Sequence, residues 1–280
     1  MPDWSWAVLA LALHTEAVAR ATPAQYPPFD TTGVAPFPFD DARLLDRRHR
    51  DAGGVWVSAN AQPGMALPLY IYLHGLNRDR IPRRWLHGSH WDMRTIVNEM
   101  TRRGVLGPIA VAVPSSTGET AQRAETMYPQ FDVGAFVEAA DRALGPRGFR
   151  IDRGRVIFSA HSASGCAYRN GLFAGVGSPA AQTILDIDCC MSPGFAQALH
   201  LARPDQRVIV VYQDHMWNAR NYRGFNSTFL RLAARTPDPS LRVLEHYRME
   251  GIDVHNDIVP VALRRWLPAL VPPRTAPASP

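Results

Sequence analysis

Short, mostly apolar runs alternate along the chain with segments whose apolar positions recur at helical spacing. Leu67–Leu73, Ile109–Val113, Val156–Ser159, Thr183–Ile187 and Val208–Tyr212 are runs of the first kind. Gly54–Ala59 and the alternating Leu241–Tyr247 extend the set. Runs of this length predict strands, and those without alternation are buried on both faces. Helical spacing predicts Asp132–Leu144, stopped by Gly145-Pro146, then Ser164–Ala174, Phe195–Leu201, Asn226–Ala234 and Asn256–Trp266. The alternation predicts an α/β fold, a mostly parallel central sheet with helices on both faces. Ligands of such sheets sit beyond the carboxyl ends of the strands, so chemistry is sought just after each strand.

Three strand ends carry candidate chemistry. Leu67–Leu73 runs into His74-Gly75-Leu76-Asn77, where a glycine lets the backbone turn sharply and aim amide N–H groups at a cleft. Val156–Ser159 breaks into Ala160-His161-Ser162-Ala163-Ser164-Gly165, a run of small residues with Ser162 at its apex. Ala160 and Ser164, two residues to either side, are small enough for strand and following helix to approach closely, and a helix N-terminus there would favour a developing oxyanion. Ser159 falls inside the strand and Ser164 in the first helical turn, so Ser162 is the expected nucleophile. A serine that merely caps the helix explains the same residues without chemistry. After Leu241–Tyr247, His255 lies just before the final helix and is better placed to act as a base than His215 or His246.

The segments around His74-Gly75 and Ala160-His161-Ser162-Ala163-Ser164 resemble the oxyanion loop and the G-x-S-x-G nucleophile elbow of the α/β-hydrolase superfamily, over roughly residues 55–267. Ala160 and Ser164 stand where that family has glycines. The chain order serine, acid, histidine also fits. The resemblance implies a Ser162 nucleophile, a His255 base, an orienting carboxylate, and backbone donors at Ala163 and near Leu76. Asp214, after Val208–Tyr212, is the expected acid; Asp188, at the end of Thr183–Ile187, is the alternative. The implied activity is that of a serine esterase acting through an acyl-serine on a small-molecule or polymeric ester. An amidase or peptidase with the same triad, and a non-catalytic binding protein on the same fold, are the alternatives.

Composition narrows the picture. At 280 residues and 46% hydrophobic, the chain is long enough for one large domain and too apolar for a disordered one. The expected organisation is an N-terminal segment over 1–40, the hydrolase domain over 41–270 and a disordered tail over 271–280. The net charge is +5, and all 30 basic residues are arginine, spread rather than blocked, so nucleic acid is not an expected partner. No apolar run reaches the roughly 18 residues of a membrane span. Residues 6–13 are apolar and Ala19-Arg20-Ala21 has the form of a cleavage site, but no basic residue precedes them, so an amphipathic helix competes with an export signal. The following Pro-rich stretch, with Pro36 and Pro38, reads as an extended arm or linker.

Neither a cofactor nor a metal is expected. No dinucleotide or phosphate-loop fingerprint occurs, and His87-Gly88-Ser89-His90 with Asp92 is too loose a metal pattern. Cys166, Cys189 and Cys190 form no disulfide framework and are expected to be small buried hydrophobes. Two insertions flank the expected site. One, over 77–101, carries Arg78, Arg80, Arg83, Arg84, Trp85 and Trp91, and reads either as a solvated helix or as a cleft wall favouring anionic or aromatic groups. The other carries Met216, Trp217, Asn218, Tyr222 and Phe225. Loops on a rigid sheet carry specificity.

Overall fold

Continuous apolar runs form strands here because both sheet faces are covered. The computed structural model describes residues 33–39, 41–46, 53–86, 91–214, 222–251 and 253–273. Eight strands, β1 (Ala35–Phe37), β2 (Gly53–Val57), β3 (Ala66–Leu73), β4 (Ala110–Pro114), β5 (Arg150–His161), β6 (Thr183–Ile187), β7 (Arg207–Tyr212) and β8 (Arg242–His246), make one sheet in the order β1-β2-β4-β3-β5-β6-β7-β8. The β1–β2 and β2–β4 pairs are antiparallel, and the rest of the sheet is parallel. Among the described residues five α-helices cover it: α1 (Met93–Arg102), α2 (Val133–Leu144), α3 (Pro193–Leu199), α4 (Tyr222–Ala233) and α5 (Val254–Leu270).

Alternate side chains of the central strands feed two separate cores. Leu69, Ile71, Ala110 and Ala112 pack with Phe136 of α2, Leu199 of α3 and Phe225 of α4. Tyr70, Tyr72, Val111 and Val113 pack with Ile96 of α1 and Leu263 of α5. This two-sided burial makes the central strands mostly apolar.

Three local departures from the expected elements have identifiable causes. The Pro-rich arm contributes β1, an edge strand, where prolines cost no ladder bond on the open side; its Phe37 packs 5.2 Å from Phe136. β5 is longer than Val156–Ser159 because it pairs with β3 on both sides of a register shift between Leu67 and Leu69. Pro68 lies at that shift and has no N–H to donate. Ser164–Ala174 is not a helix. It is two 3-10 turns, Ser162–Gly165 and Gly171–Ala174, separated by an irregular link. Gly171 is left-handed (φ 51°), and a Cβ there would lie 1.9 Å from the Ser164 carbonyl oxygen, so the chain doubles back where a helix would run on. The expected helix N-terminus beside Ser162 is therefore replaced by a 3-10 turn, with no helix dipole to favour an oxyanion.

Cysteine usage also differs from expectation. Cys166 and Cys190 form a disulfide, while Cys189 is buried outside it. Vicinal cysteines seldom bridge each other, but one of a pair reaches a third wherever the fold brings it close. Among the described residues no helix is long and apolar enough to cross a membrane. Residues 1–32 and 274–280, with the candidate cleavage site and most of the tail, lie outside the described residues.

Candidate active site

The ends of β3, β5 and β6 and the start of α5 meet at the carboxyl edge of the sheet. Ser162 follows β5 directly and has a left-handed backbone, φ 61°. Such strain is unusual for a residue with a side chain and holds its Oγ clear of the sheet. Small neighbours make the turn possible. A Cβ on Gly75 would lie 2.7 Å from the Cβ of Ser162, so the two strand ends touch only because position 75 is glycine.

Ser164 does more than stay small. Its Oγ accepts from the His161 amide at 3.1 Å and lies 2.9 Å from the Leu73 carbonyl and 2.8 Å from that of His161. It therefore ties the turn to the end of β3. Ser159 is buried inside β5 and bonded to the Tyr70 hydroxyl at 2.7 Å, which removes it as a rival nucleophile on accessibility.

His255 lies in the first turn of α5, with both ring nitrogens engaged. Nε2 is 2.7 Å from Ser162 Oγ and Nδ1 is 2.5 Å from Asp188 Oδ2. A carboxylate only accepts, so Nδ1 carries the proton and the Nε2 lone pair faces the serine hydroxyl. Asp188 is fully buried and is also held by Gln213, whose side-chain amide donates to Oδ2 at 2.8 Å.

The expectation that Asp214 orients His255 is thus corrected, since the carboxylate at Nδ1 belongs to Asp188. Asp214 turns toward the far edge of the sheet and pairs with His246 at 3.4 Å. The reason lies in sheet order. β6 is the immediate neighbour of β5, whereas β7 is one strand further away, and each strand adds about 4.8 Å. His215, Met216, Trp217 and Asn218, like His87 and His90, lie outside the described residues. Phe225 is a core residue of α4, and Tyr222 packs 6.0 Å from Tyr212.

A cavity of about 480 Å³ opens over Ser162 and His255. Leu76 and Ala163, the two positions expected to donate backbone N–H groups, lie in its wall beside Gly75. Arg78, Asp79, Arg84, Trp85 and Asn256 complete much of the lining. Residues 77–86 form turns rather than a solvated helix, and among the described residues of the insertion the helix is Met93–Arg102.

Sequence reasoning missed His161. It is buried, its Nε2 lies 2.7 Å from the carbonyl oxygen of His255, and its ring packs 4.6 Å from the His255 ring. A carbonyl only accepts, so His161 Nε2 bears a proton and donates it. Burial holds the His161 pKa well below its ordinary value, and the neighbouring His255 lowers it further. Burial likewise lowers His74 to about 4. Position 161, immediately before the serine, was the available signal. The disulfide also belongs to the site, since Cys166 lies four residues after Ser162 and Cys190 two after Asp188. Among the described residues no group of three His, Cys, Asp or Glu side chains could hold a metal.

The fold is the α/β-hydrolase fold, and the serine, histidine and carboxylate lie at the strand ends where that fold carries its site. Among solved structures, the chain is similar to a feruloyl esterase module from Clostridium thermocellum complexed with sinapinate: TM-score 0.58, 12% identity, covering 94% of this chain and 100% of that one. It is also similar to the enterobactin esterase of Shigella flexneri, with TM-score 0.56 and 14% identity over 88% of this chain and 61% of the other. A thermostable esterase matches with TM-score 0.51 and 14% identity, over 79% of this chain and 59% of the other. No family model and no curated protein matches the chain.

Proposed function

We propose that the protein is a serine hydrolase that cleaves carboxylic esters through an acyl-serine intermediate. The observation that carries this reading is the unbroken hydrogen-bonded chain Ser162–His255–Asp188 on a strained turn at the floor of a cavity. As the Ser162 oxygen attacks the ester carbonyl, His255 Nε2 takes its proton, and Asp188 stabilises the imidazolium that forms. The carbonyl oxygen becomes an oxyanion, for which the backbone N–H groups of Ala163 and Leu76 are the donors. The intermediate collapses when His255 returns the proton to the leaving alcohol. Water, deprotonated by the same histidine, then releases the acid and restores Ser162. Esterase names among the fold neighbours support an ester over other acyl substrates.

The test is covalent labelling followed by kinetics. A fluorophosphonate should modify one serine, recovered on the peptide containing Ser162, and Ser162→Ala should lower para-nitrophenyl acetate hydrolysis by a factor on the order of 10³ or more with the fold intact. Undiminished hydrolysis by Ser162→Ala would overturn the assignment. Turnover of an anilide but of no ester would move the reading to an amidase.

A further inference from the structure

The wall of the cavity over Ser162 holds a half-buried guanidinium, that of Arg84. Arg78 and Asp79 are exposed at the cavity rim with opposite signs. Arg80 is engaged away from the site, 2.8 Å from Asp46. Arg84 is different, being half-buried in the cavity wall beside Trp85, and its Nη1 donates to the Leu76 carbonyl at 3.3 Å. Among the described residues no carboxylate forms an ion pair with it.

The buried tyrosines and histidines around it are uncharged. Burial holds the Tyr72 and Tyr128 hydroxyls protonated, and it holds His74 and His161 neutral; Arg84 itself adds to the lowering at both histidines. The negative charge of the site, Asp188, lies behind His255 and is held by Gln213. A guanidinium presents five donors in a planar fork. One donor on a backbone carbonyl leaves the others for a planar anion.

From this placement we propose that the substrate is an anionic ester, one carrying a carboxylate that pairs with Arg84 while its ester carbonyl lies at Ser162. The inference rests on the esterase reading and deepens it by naming a substrate class. A cavity of about 480 Å³ has room for a short acyl chain or an aromatic ring between the two points. Trp85 lies in the wall beside Arg84 and adds apolar surface for that spacer. The contact between Arg84 and the Leu76 carbonyl joins substrate recognition to the loop that carries an expected oxyanion donor.

The experiment compares matched esters that differ in charge. One arm places the anion on the acyl side: mono-para-nitrophenyl adipate against para-nitrophenyl hexanoate. The other places it on the alcohol side: the acetate ester of meta-hydroxybenzoate against that of its methyl ester. The readout is the ratio of kcat/KM for the charged ester to that for the neutral one, in the wild type, Arg84→Gln and Arg84→Lys. A ratio cancels any loss that both esters suffer when the Leu76 loop is disturbed. In one of the two arms, Arg84→Gln should lower the ratio by about tenfold or more, and Arg84→Lys by less. Raising the salt concentration should lower the wild-type ratio in the same arm. A ratio equal in the wild type and Arg84→Gln in both arms would overturn the inference. If neutral esters are then still cleaved by a Ser162-dependent route, the esterase reading survives alone. If no ester in either arm is cleaved and Ser162 is not labelled, both fall together.

Discussion

Replacing Asp188 by asparagine is the sharpest test of the site, because the two candidate acids predict opposite results. Asp188 is fully buried, with Oδ2 2.5 Å from His255 Nδ1 and 2.8 Å from the Gln213 amide. An asparagine of the same shape turns either its NH₂ or its carbonyl toward Nδ1. Both contacts fall on the single atom Oδ2: an Asn carbonyl there keeps them but carries no charge to stabilise the imidazolium, whereas an NH₂ there turns an N–H at His255 Nδ1. In the second orientation the imidazole adopts the tautomer with its proton on Nε2, pointing at Ser162, and can no longer accept the serine proton. Loss of the orienting carboxylate in a triad of this geometry lowers turnover by about 10⁴. That is about 5 kcal/mol of transition-state stabilisation at 1.36 kcal/mol per tenfold. The packing is unchanged in volume, so the melting temperature should move little by comparison. Asp214→Asn, half-exposed and paired with His246, should leave turnover within a few-fold. The assay is para-nitrophenyl acetate hydrolysis with a thermal melt of each variant. Near-wild-type turnover of Asp188→Asn, with loss in Asp214→Asn at an unchanged melting temperature, would refute the assignment.

Other consequences follow from the surroundings of the triad. The Cys166–Cys190 disulfide closes a loop with a sequence separation of 24, which corresponds to about 3.5 kcal/mol of unfolded-state entropy, so the Cys166→Ser/Cys190→Ser double variant should show that loss in a denaturant titration; a loss under about 1 kcal/mol would contradict it. Burial raises the Asp186 carboxyl to about 7 from 3.8, so the native state keeps a proton that the unfolded chain has lost, and stability falls as pH rises from about 4 to 7. Asp186→Asn removes that dependence, and stability curves of wild type and variant should diverge over this window by on the order of 4 kcal/mol rather than run parallel. His161→Phe keeps a ring against His255 but removes the donor to its carbonyl, and should lower kcat by about tenfold with KM little changed; His161→Gln, which can restore an N–H at that place, should recover much of the loss. Equal activity in His161→Phe and the wild type would show that the contact positions nothing.

The parts of this molecule legible in the sequence are those fixed by burial and by local sterics. β3, β6 and β7 read as apolar runs because helices cover both faces of the sheet, and their observed bounds lie within a residue of those runs. Gly75 and Ser162 were legible because close approach demands small residues on both sides of the contact. The longer β5 was not, because its first part depends on how the chain passes Pro68 of a strand far away in sequence. The helix expected after Ser162 failed for a similar reason. Its apolar spacing is sound, but Gly171 folds back on the Ser164 carbonyl and Cys166 is bonded to Cys190, neither of which periodicity registers.

Asp188 and Asp214 both lie just beyond a strand, and Asp214 is nearer to His255 along the chain. Reach in a parallel sheet is measured across strands, however, and not along the chain. Ser162 stands at the end of β5, so a carboxylate at the end of β6 is one strand away and one at the end of β7 is two, about 5 Å further. Asp188 is followed directly by Cys189 and Cys190, an apolar setting for a carboxylate. An orienting carboxylate must be dry to hold one imidazole tautomer, and Asp188 has no exposed surface. The same pair of cysteines supplies the bridge that ties the loop of Asp188 to the turn of Ser162. Two features that looked like simple core packing therefore belong to the geometry of the site. They became legible only once the strand order was known.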